Sequence, residues 1–400
     1  MSTDLTISVP ARHAGCTSEN AVQGAGVQCG ILAFVMILAA SAGCREHEPA
    51  PLPPIEYYLE ITGSIPAAEA DSSSELIWIA DAVHSPDGNI VVLDFLREAL
   101  IIFTPEGEYI RTVGRGGEGP GEFDRPGEVA CSSNGDLLIR DAIGLSRFDG
   151  NCEFIDRTTW PFFPPSLVAC LDDGSLIGIE RTPRPSDEGV RFTSTLGLWD
   201  GGEDPSVEYF SIDFEWPIGD ESADLSHSRE SHIHACATHD GRVFFSRSSV
   251  DGFEIRGCER DGTQFFHVRD DSFERMRKSE DELRIEMEYL TGTFNRMTNG
   301  GSGQVDMEPD PYRQAILGMF IDGEERLWVR LGFYPGIIFR VYDMCGNTLF
   351  HVMLDYDGSP LDLMDWQVCG NEYGFLAYDE LPEDCERVYI LNLQPCSLID

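Results

Sequence analysis

Lysine is almost absent from this chain of 400 residues: Lys278 is the only one, and 28 Lys and Arg side chains face 70 Asp and Glu, a formal net charge of −42. A phosphate backbone must be met by clustered cations, so this balance excludes a nucleic-acid binder. It also disfavours docking on an anionic membrane surface through protein charge. No CxxC pair occurs and the cysteines are dispersed, which argues against a zinc site. No GxSxG element places a serine nucleophile. The glycine-rich stretch GRGGEGPGEF (114–123) lacks the Lys and the following helix of a phosphate loop, and carries Glu118 and Glu122. Apolar content is not scarce: 42% hydrophobic and 10% aromatic residues suffice for a packed core.

Residues 31–40 read ILAFVMILAA, an apolar run too short to span a bilayer as a helix but suited to the core of a secretory signal. Ala42 and Gly43 before Cys44 resemble a bacterial lipobox, in which the cysteine is diacylated and becomes the mature N-terminus. Ser41 stands where Leu is usual, and Arg12 is the only Arg or Lys of the first thirty residues. A plain secretory signal or a buried helix is the alternative. We therefore read 1–43 as a leader, Cys44 as the lipid attachment site and the Pro-rich segment 44–54 as a tether. Removing the leader takes only Asp4, Glu19 and Arg12, so the acidity belongs to the rest of the chain.

An internal repeat organises that remainder. A polar turn followed by a β-rich run recurs as SPDGNIVVLD (85–94), SSNGDLLIRD (132–141), LDDGSLIGIE (171–180), THDGRVFFSR (238–247), DGEERLWVRL (322–331) and GNEYGFLAYD (370–379). A second apolar run follows each. Short strands separated by Asp-Gly and Asn-Gly turns signal hairpins. Two hairpins per unit and six units predict an all-β, six-bladed propeller. Its extent is 55–400, with blades at about 75–115, 126–160, 166–215, 231–270, 316–356 and 362–400. The long interval between the fourth and fifth units predicts a helical insertion at about 270–300. Phe273, Met276, Leu283, Met287 and Leu290 fall near helical spacing there, with the Glu and Arg between them read as a solvated face. Residues 56–62, EYYLEIT, are expected to close the ring against 387–393.

Residues 85–130 look like an NHL repeat, including the glycine-rich linker and Pro126. The chain resembles the bacterial six-bladed propeller lipoproteins of the NHL/TolB-like type, a likeness that implies fold more firmly than activity.

Cys131, Cys236 and Cys369 precede the turn of their blades, and Cys152, Cys258 and Cys396 fall in the second hairpins of the same blades. In an exported protein this recurrence predicts one disulfide in each of the three. Buried free thiols are the alternative, because a central strand between the two slots would exceed bridging distance. His232 and His234 alternate on a strand and so share a face. They are candidate metal ligands if that face meets the channel, with His84 of blade one as a conceivable third. A polar channel lining is the plainer reading.

Three functions follow. The first is a cell-envelope lipoprotein, a monomer without cofactor or enzymatic activity, whose propeller binds an unidentified protein or glycan and meets the membrane through its lipid. The second is a lactonase- or gluconolactonase-type hydrolase with a divalent cation such as calcium in the channel. The third is a structural, salt-tolerant surface protein.

Overall fold

The computed structural model describes residues 52–65, 75–160, 164–186, 189–202, 204–217, 232–297, 309–332, 336–358, 366–379 and 387–396. The expectations for the leader and for Cys44 lie outside these residues, as does most of the tether.

The first strand, β1 (Tyr57–Ile65), is followed by five four-stranded antiparallel units. These are β2 (Ile79–His84), β3 (Ile90–Asp94), β4 (Ala99–Phe103) and β5 (Tyr109–Val113); then β6 (Glu128–Cys131), β7 (Leu137–Arg140), β8 (Gly144–Phe148) and β9 (Phe154–Thr159). Blade three holds β10 (Ser166–Cys170), β11 (Leu176–Pro185), β12 (Gly189–Trp199) and β13 (Val207–Pro217). Blade four holds β14 (Ile233–Ala237), β15 (Val243–Arg247), β16 (Phe253–Cys258) and β17 (Gln264–Asp270). The helix α1 (Glu280–Met297) precedes β18 (Ile316–Ile321), β19 (Leu327–Leu331), β20 (Ile338–Tyr342) and β21 (Thr348–Asp355) of blade five. Blade six has three strands of its own, β22 (Trp366–Asn371), β23 (Gly374–Asp379) and β24 (Val388–Pro395).

The repeated turn has a single geometry in the first four blades. Gly88, Gly135, Gly174 and Gly241 each donate to the carbonyl three residues back, at 2.8–3.0 Å, with φ between 82° and 93°. Glycine enters that left-handed region without a Cβ penalty. Blade five departs from the sequence alignment: the left-handed residue is Glu325 (φ 54°), not Gly323, and it donates to Asp322. The aspartate that ends the repeat is also structural. Asp94 is fully buried and accepts from the backbone nitrogens of Ile77, Leu96 and Arg97, while Asp141 accepts from Asp124, Ile143 and Gly144. Each thereby fixes the turn into the third strand and the linker entering its blade.

Six apolar clusters fill the contacts between consecutive blades. The blade five–six contact is aromatic: Trp328 and Phe339 are buried, Phe320 stacks on Trp328 at 5.4 Å, and Trp366 stacks on Tyr389 at 4.6 Å. The chain is a six-bladed β-propeller, and its stability comes from the faces of its blades.

The ring is closed by β1, which pairs antiparallel with β24 from Tyr57↔Pro395 to Ile65↔Val388. Its other edge pairs in parallel with β21, Tyr57↔Val352 through Glu60↔Asp355, which the sequence pattern does not signal. Blades five and six thus share one eight-stranded sheet, and one strand covers both of their outer edges.

The helix begins later than its composition suggests. Ser279 and Glu282 form a reciprocal capping box: Glu282 N donates to Ser279 Oγ at 3.2 Å and Ser279 N to Glu282 Oε2 at 2.8 Å. Its charges are not all solvated. Glu282 is buried and receives Arg313 at 2.7 Å through two nitrogens, and Glu286 is buried against Lys278. Arg284, paired with Asp281 and Glu288, is the exposed face.

The six cysteines assigned to bridges are free thiols, for reasons the register makes plain. Cys236 lies opposite Phe244, and Cys258 lies opposite Val243, on the intervening strand β15. Adjacent residues of a strand face opposite ways, so the two sulfurs lie on opposite faces of blade four. Cys131 lies opposite Leu137, and Cys152 follows β8, so β7 separates them by two strand spacings, about 9.5 Å, beyond bridging reach. Cys369 stands in the row of Leu376 and Ile390 and donates to Ala82 O at 3.3 Å. Cys396 lies six residues beyond Ile390, where it donates to Ile55 O at 3.2 Å.

Candidate functional site

The inner strands β2, β6, β10, β14, β18 and β22 begin at one end of the channel and end in the repeated turns at the other. Polar side chains collect at the end where they begin. Asp81, at the bulge in β2, accepts the Val129 nitrogen of blade two at 2.9 Å, the Ala82 nitrogen at 2.8 Å and Tyr378 Oη of blade six at 3.3 Å. Burial pushes its pKa up to about 7, opposed by those backbone hydrogen bonds. Glu128 repeats the arrangement one blade on, accepting the Leu167 nitrogen of blade three. Its neighbour across the β6–β7 ladder, Arg140, donates to Pro164 O at 3.0 Å and lies 3.6 Å from Glu128. Arg330 holds the same ladder position in blade five and donates to Trp366 O of blade six.

Blade three builds one wall of this end. Strand β11 runs past β10, which pairs only from Leu176 to Ile179, and continues to Pro185 against β12. The overhang carries Arg181, opposite Ser194. Arg181 is exposed, yet its pKa is lowered, first by desolvation and then by the Arg140 charge, with Glu128 opposing.

His232 shows the same combination: it is exposed, and burial followed by the Arg181 charge lowers its pKa. Its ring lies 4.7 Å from that of His234 in an edge-on contact, so the pair shares a face as the spacing implies. That face turns toward blade five. His234 falls to about 3, through burial, then His232 and Arg330, with a hydrogen bond to Gln314 opposing. Both imidazoles are therefore neutral at pH 7. Nε2 of His234 is buried with no hydrogen-bond partner among the described residues.

His84 does not join them. It pairs with Ile90 at the turn end of β2, whereas His234 pairs with Ser246, three residues before the turn end of β14. That offset alone is about 10 Å along the strand direction. His84 packs instead on Gly374 of blade six, and its carbonyl accepts Asn371 Nδ2 at 3.1 Å. Among the described residues no group of three His, Cys, Asp or Glu is arranged to hold a metal ion.

A pocket of about 470 Å³ opens on blade four, lined by Phe210, Phe253, Phe273, Arg247, Arg256 and Arg269 among others. Its charges are largely matched: Arg256 pairs with Glu254 at 3.0 Å and Arg269 with Asp271 at 2.8 Å. The channel end leaves a buried histidine nitrogen without a partner among the described residues, and residues from all six blades build it, so it is the stronger candidate.

The HxH spacing signals the two histidines but not the arginines. A signal existed: Arg140 in SSNGDLLIRD and Arg330 in DGEERLWVRL occupy the slot that Leu93 fills in SPDGNIVVLD.

A family model, DUF5128, described as a 6-bladed beta-propeller, matches residues 72–191. No curated protein sequence matches the chain. Solved structures similar to it include a Bacteroides fragilis protein described as a "putative exported protein", at 14% identity over 85% of this chain and 95% of that one, TM-score 0.46. A member of the DUF4221 family from Bacteroides vulgatus is 9% identical over 86% and 100% of the two chains, TM-score 0.46. Regucalcin, a calcium-binding protein from Agrobacterium tumefaciens, is 12% identical over 83% and 94%, TM-score 0.40.

Proposed function

We propose that the protein is an exported lipoprotein, lipidated on Cys44, whose propeller serves as a binding module for a protein or glycan at the cell envelope. The observation that carries this reading is the double pairing of β1. The first strand after the tether is held by β24 on one edge and β21 on the other. Its leading residue is tied further: Glu56 N donates to His351 O, His351 N donates to Glu56 Oε2, and Cys396 N donates to Glu56 O. A tether entering there loads hydrogen bonds along a sheet rather than peeling a loose end, as suits a module hung from a membrane. No helix among the described residues is long and apolar enough to cross a membrane, so in this reading the lipid supplies the attachment. The acidic surface then keeps the module away from anionic headgroups.

The test is metabolic labelling with a radioactive fatty acid in a bacterial host, comparing the wild type with Cys44→Ala. Label on the wild type, membrane fractionation, and loss of both in the variant are expected. An unlabelled wild type in the soluble fraction overturns the anchor.

A further inference from the structure

Two chemically unlike walls meet at the cavity of about 470 Å³ on blade four. The apolar wall comes from blade three. Phe210 of β13 stacks on Phe245 of β15 at 5.4 Å, which turns that face of β13 toward blade four. Residues two apart on a strand share a face, so Ile212 and Phe214 continue it beyond Phe210. Phe214 in turn stacks on Phe192 of β12 at 5.2 Å.

The polar wall belongs to blade four. Arg256 lies opposite Phe245 on one side and His267 on the other, and Glu254, two residues before it, lies opposite Arg269. All five therefore share the face on which Phe210 stacks. Glu254 receives Arg256 Nε at 3.1 Å, Arg256 Nη2 at 3.0 Å and His267 Nε2 at 2.9 Å, and all three bonds fall on Oε1. Among the described residues Glu254 Oε2 and Arg256 Nη1 have no hydrogen-bond partner. The Arg256 and Glu254 side chains are 44% and 36% exposed, so the ion pair holds one acceptor and one donor side by side within reach of a ligand. The charges around them are satisfied by the protein: Arg269 by Asp271 at 2.8 Å, Asp251 by Arg275, and Asp270 by the nitrogen and hydroxyl of Ser272 at 3.0 and 2.6 Å. An anion entering here would compete with Glu254 for Arg256, and a cation would compete with Arg256 for Glu254. Neighbouring hydroxyls of a neutral molecule both donate and accept, so they satisfy the two open atoms without disturbing the pair.

We propose that this cavity between blades three and four binds a neutral saccharide, with one face of a pyranose ring on the aromatic wall at Phe210 and its hydroxyls on Glu254 Oε2 and Arg256 Nη1. A pyranose carries C–H bonds on its faces and hydroxyls around its rim, and the negative face of an aromatic ring attracts the former. Hydrogen bonds to an ionised pair are stronger than those between neutral groups. The cavity volume lies within the range of small-ligand sites, about 300–1,000 Å³. Such a site rests on the binding-module reading and narrows its ligand, at a place whose lining includes none of the channel-end residues.

Purified full-length protein is titrated with the methyl glycosides of glucose, galactose, mannose and N-acetylglucosamine, and with glucuronate as a charged counterpart, and binding is read by saturation-transfer NMR. At least one neutral glycoside should bind saturably, with transfer concentrated on the C–H protons of one ring face. Glucuronate should bind about tenfold more weakly, because Glu254 already occupies Arg256. Glu254→Ala should weaken the neutral glycoside about tenfold and strengthen glucuronate, since Arg256 is then left without its carboxylate. That exchange of preference separates a lost ligand contact from a damaged fold, which would weaken both. Glu259→Ala, at an exposed position beyond the turn end of the same strand, should leave both affinities unchanged. No saturable binding by any of the four glycosides, equal binding of glucuronate, undiminished binding in Glu254→Ala, or the same loss in Glu259→Ala overturns the proposal. Lipidation enters none of these measurements, so failure here leaves the Cys44 reading standing, and failure there leaves this one.

Discussion

Asp81 of blade one takes the backbone nitrogen of Val129, in blade two, at 2.9 Å, and the contact makes a titrating carboxylate part of the joint between blades. Tyr378 of blade six reaches the same group, so three blades meet at one side chain.

That joint gives a pH dependence of definite sign. Burial raises the Asp81 pKa from 3.8 to about 7, so between those values the folded protein holds a proton that the unfolded chain has released. Its contribution is therefore complete below about pH 4 and is lost as the pH rises through about 7. The loss amounts to at most about 4 kcal/mol at one unit per 1.4 kcal/mol. Asp81→Asn should flatten the stability profile between pH 4 and 7, read from denaturant unfolding at several pH values. It should also cost about 1 kcal/mol at pH 4, because Val129 and Ala82 donate to different oxygens and the amide retains only one. A wild-type profile that keeps its slope in the variant would assign the titration elsewhere.

Lys278 and Glu286 sit 2.6 Å apart with each side chain about one-tenth exposed, and the pair anchors the start of α1 to the segment before it. Removing one member of such a pair leaves a charge in poor solvent, at a cost of about 3 kcal/mol. Lys278→Met should lose that much, and Lys278→Met with Glu286→Leu should recover part of it. A double-mutant cycle in urea measures the difference; equal losses in the single and double variants would show that the pair acts only through packing.

The thiols give a chemical check on the register. Alkylation in denaturant without reductant should label Cys131, Cys152, Cys236, Cys258, Cys369 and Cys396, read by peptide mass spectrometry. Under native conditions exposed Cys345 should react well before Cys131 and Cys369, whose pKa values burial raises to about 12. An unlabelled Cys236–Cys258 pair that appears only after reduction would contradict the opposite-face placement.

The propeller was legible because its turns are local: Ser85 to Asn89 or Thr238 to Arg242 encode a hairpin within five residues. Strand count and the β1–β24 closure followed from the same short signals. The disulfide expectation failed because slots that recur in sequence can fall on strands divided by a third, on opposite faces in blade four and beyond bridging reach in blade two. The channel end was half legible. His232 and His234 advertise themselves by spacing, but Arg181 stands at that end only because β11 overruns β10, and strand length is not part of the repeat. The parallel β1–β21 pairing had no signature, because it joins backbone edges rather than side-chain patterns.

The double pairing of β1 yields the last prediction. Leu59 is fully buried, stands opposite Leu354 on one side and Leu393 on the other, and packs in the aromatic cluster between blades five and six. Truncating a buried leucine at such a position costs about 3 kcal/mol, from lost transfer energy and the cavity left behind. If β1 is a structural strand rather than the frayed end of a tether, the cost is not confined to it. Leu59→Ala should accelerate amide exchange along β24 and β21 together, while the inner strands β2 and β6 keep their protection. Glu60, exposed on the same strand, supplies the control: Glu60→Ala should change stability by no more than about 0.5 kcal/mol. Faster exchange restricted to residues 57–65 would make β1 an accessory strand and remove the mechanical support for hanging the propeller from its N-terminal end.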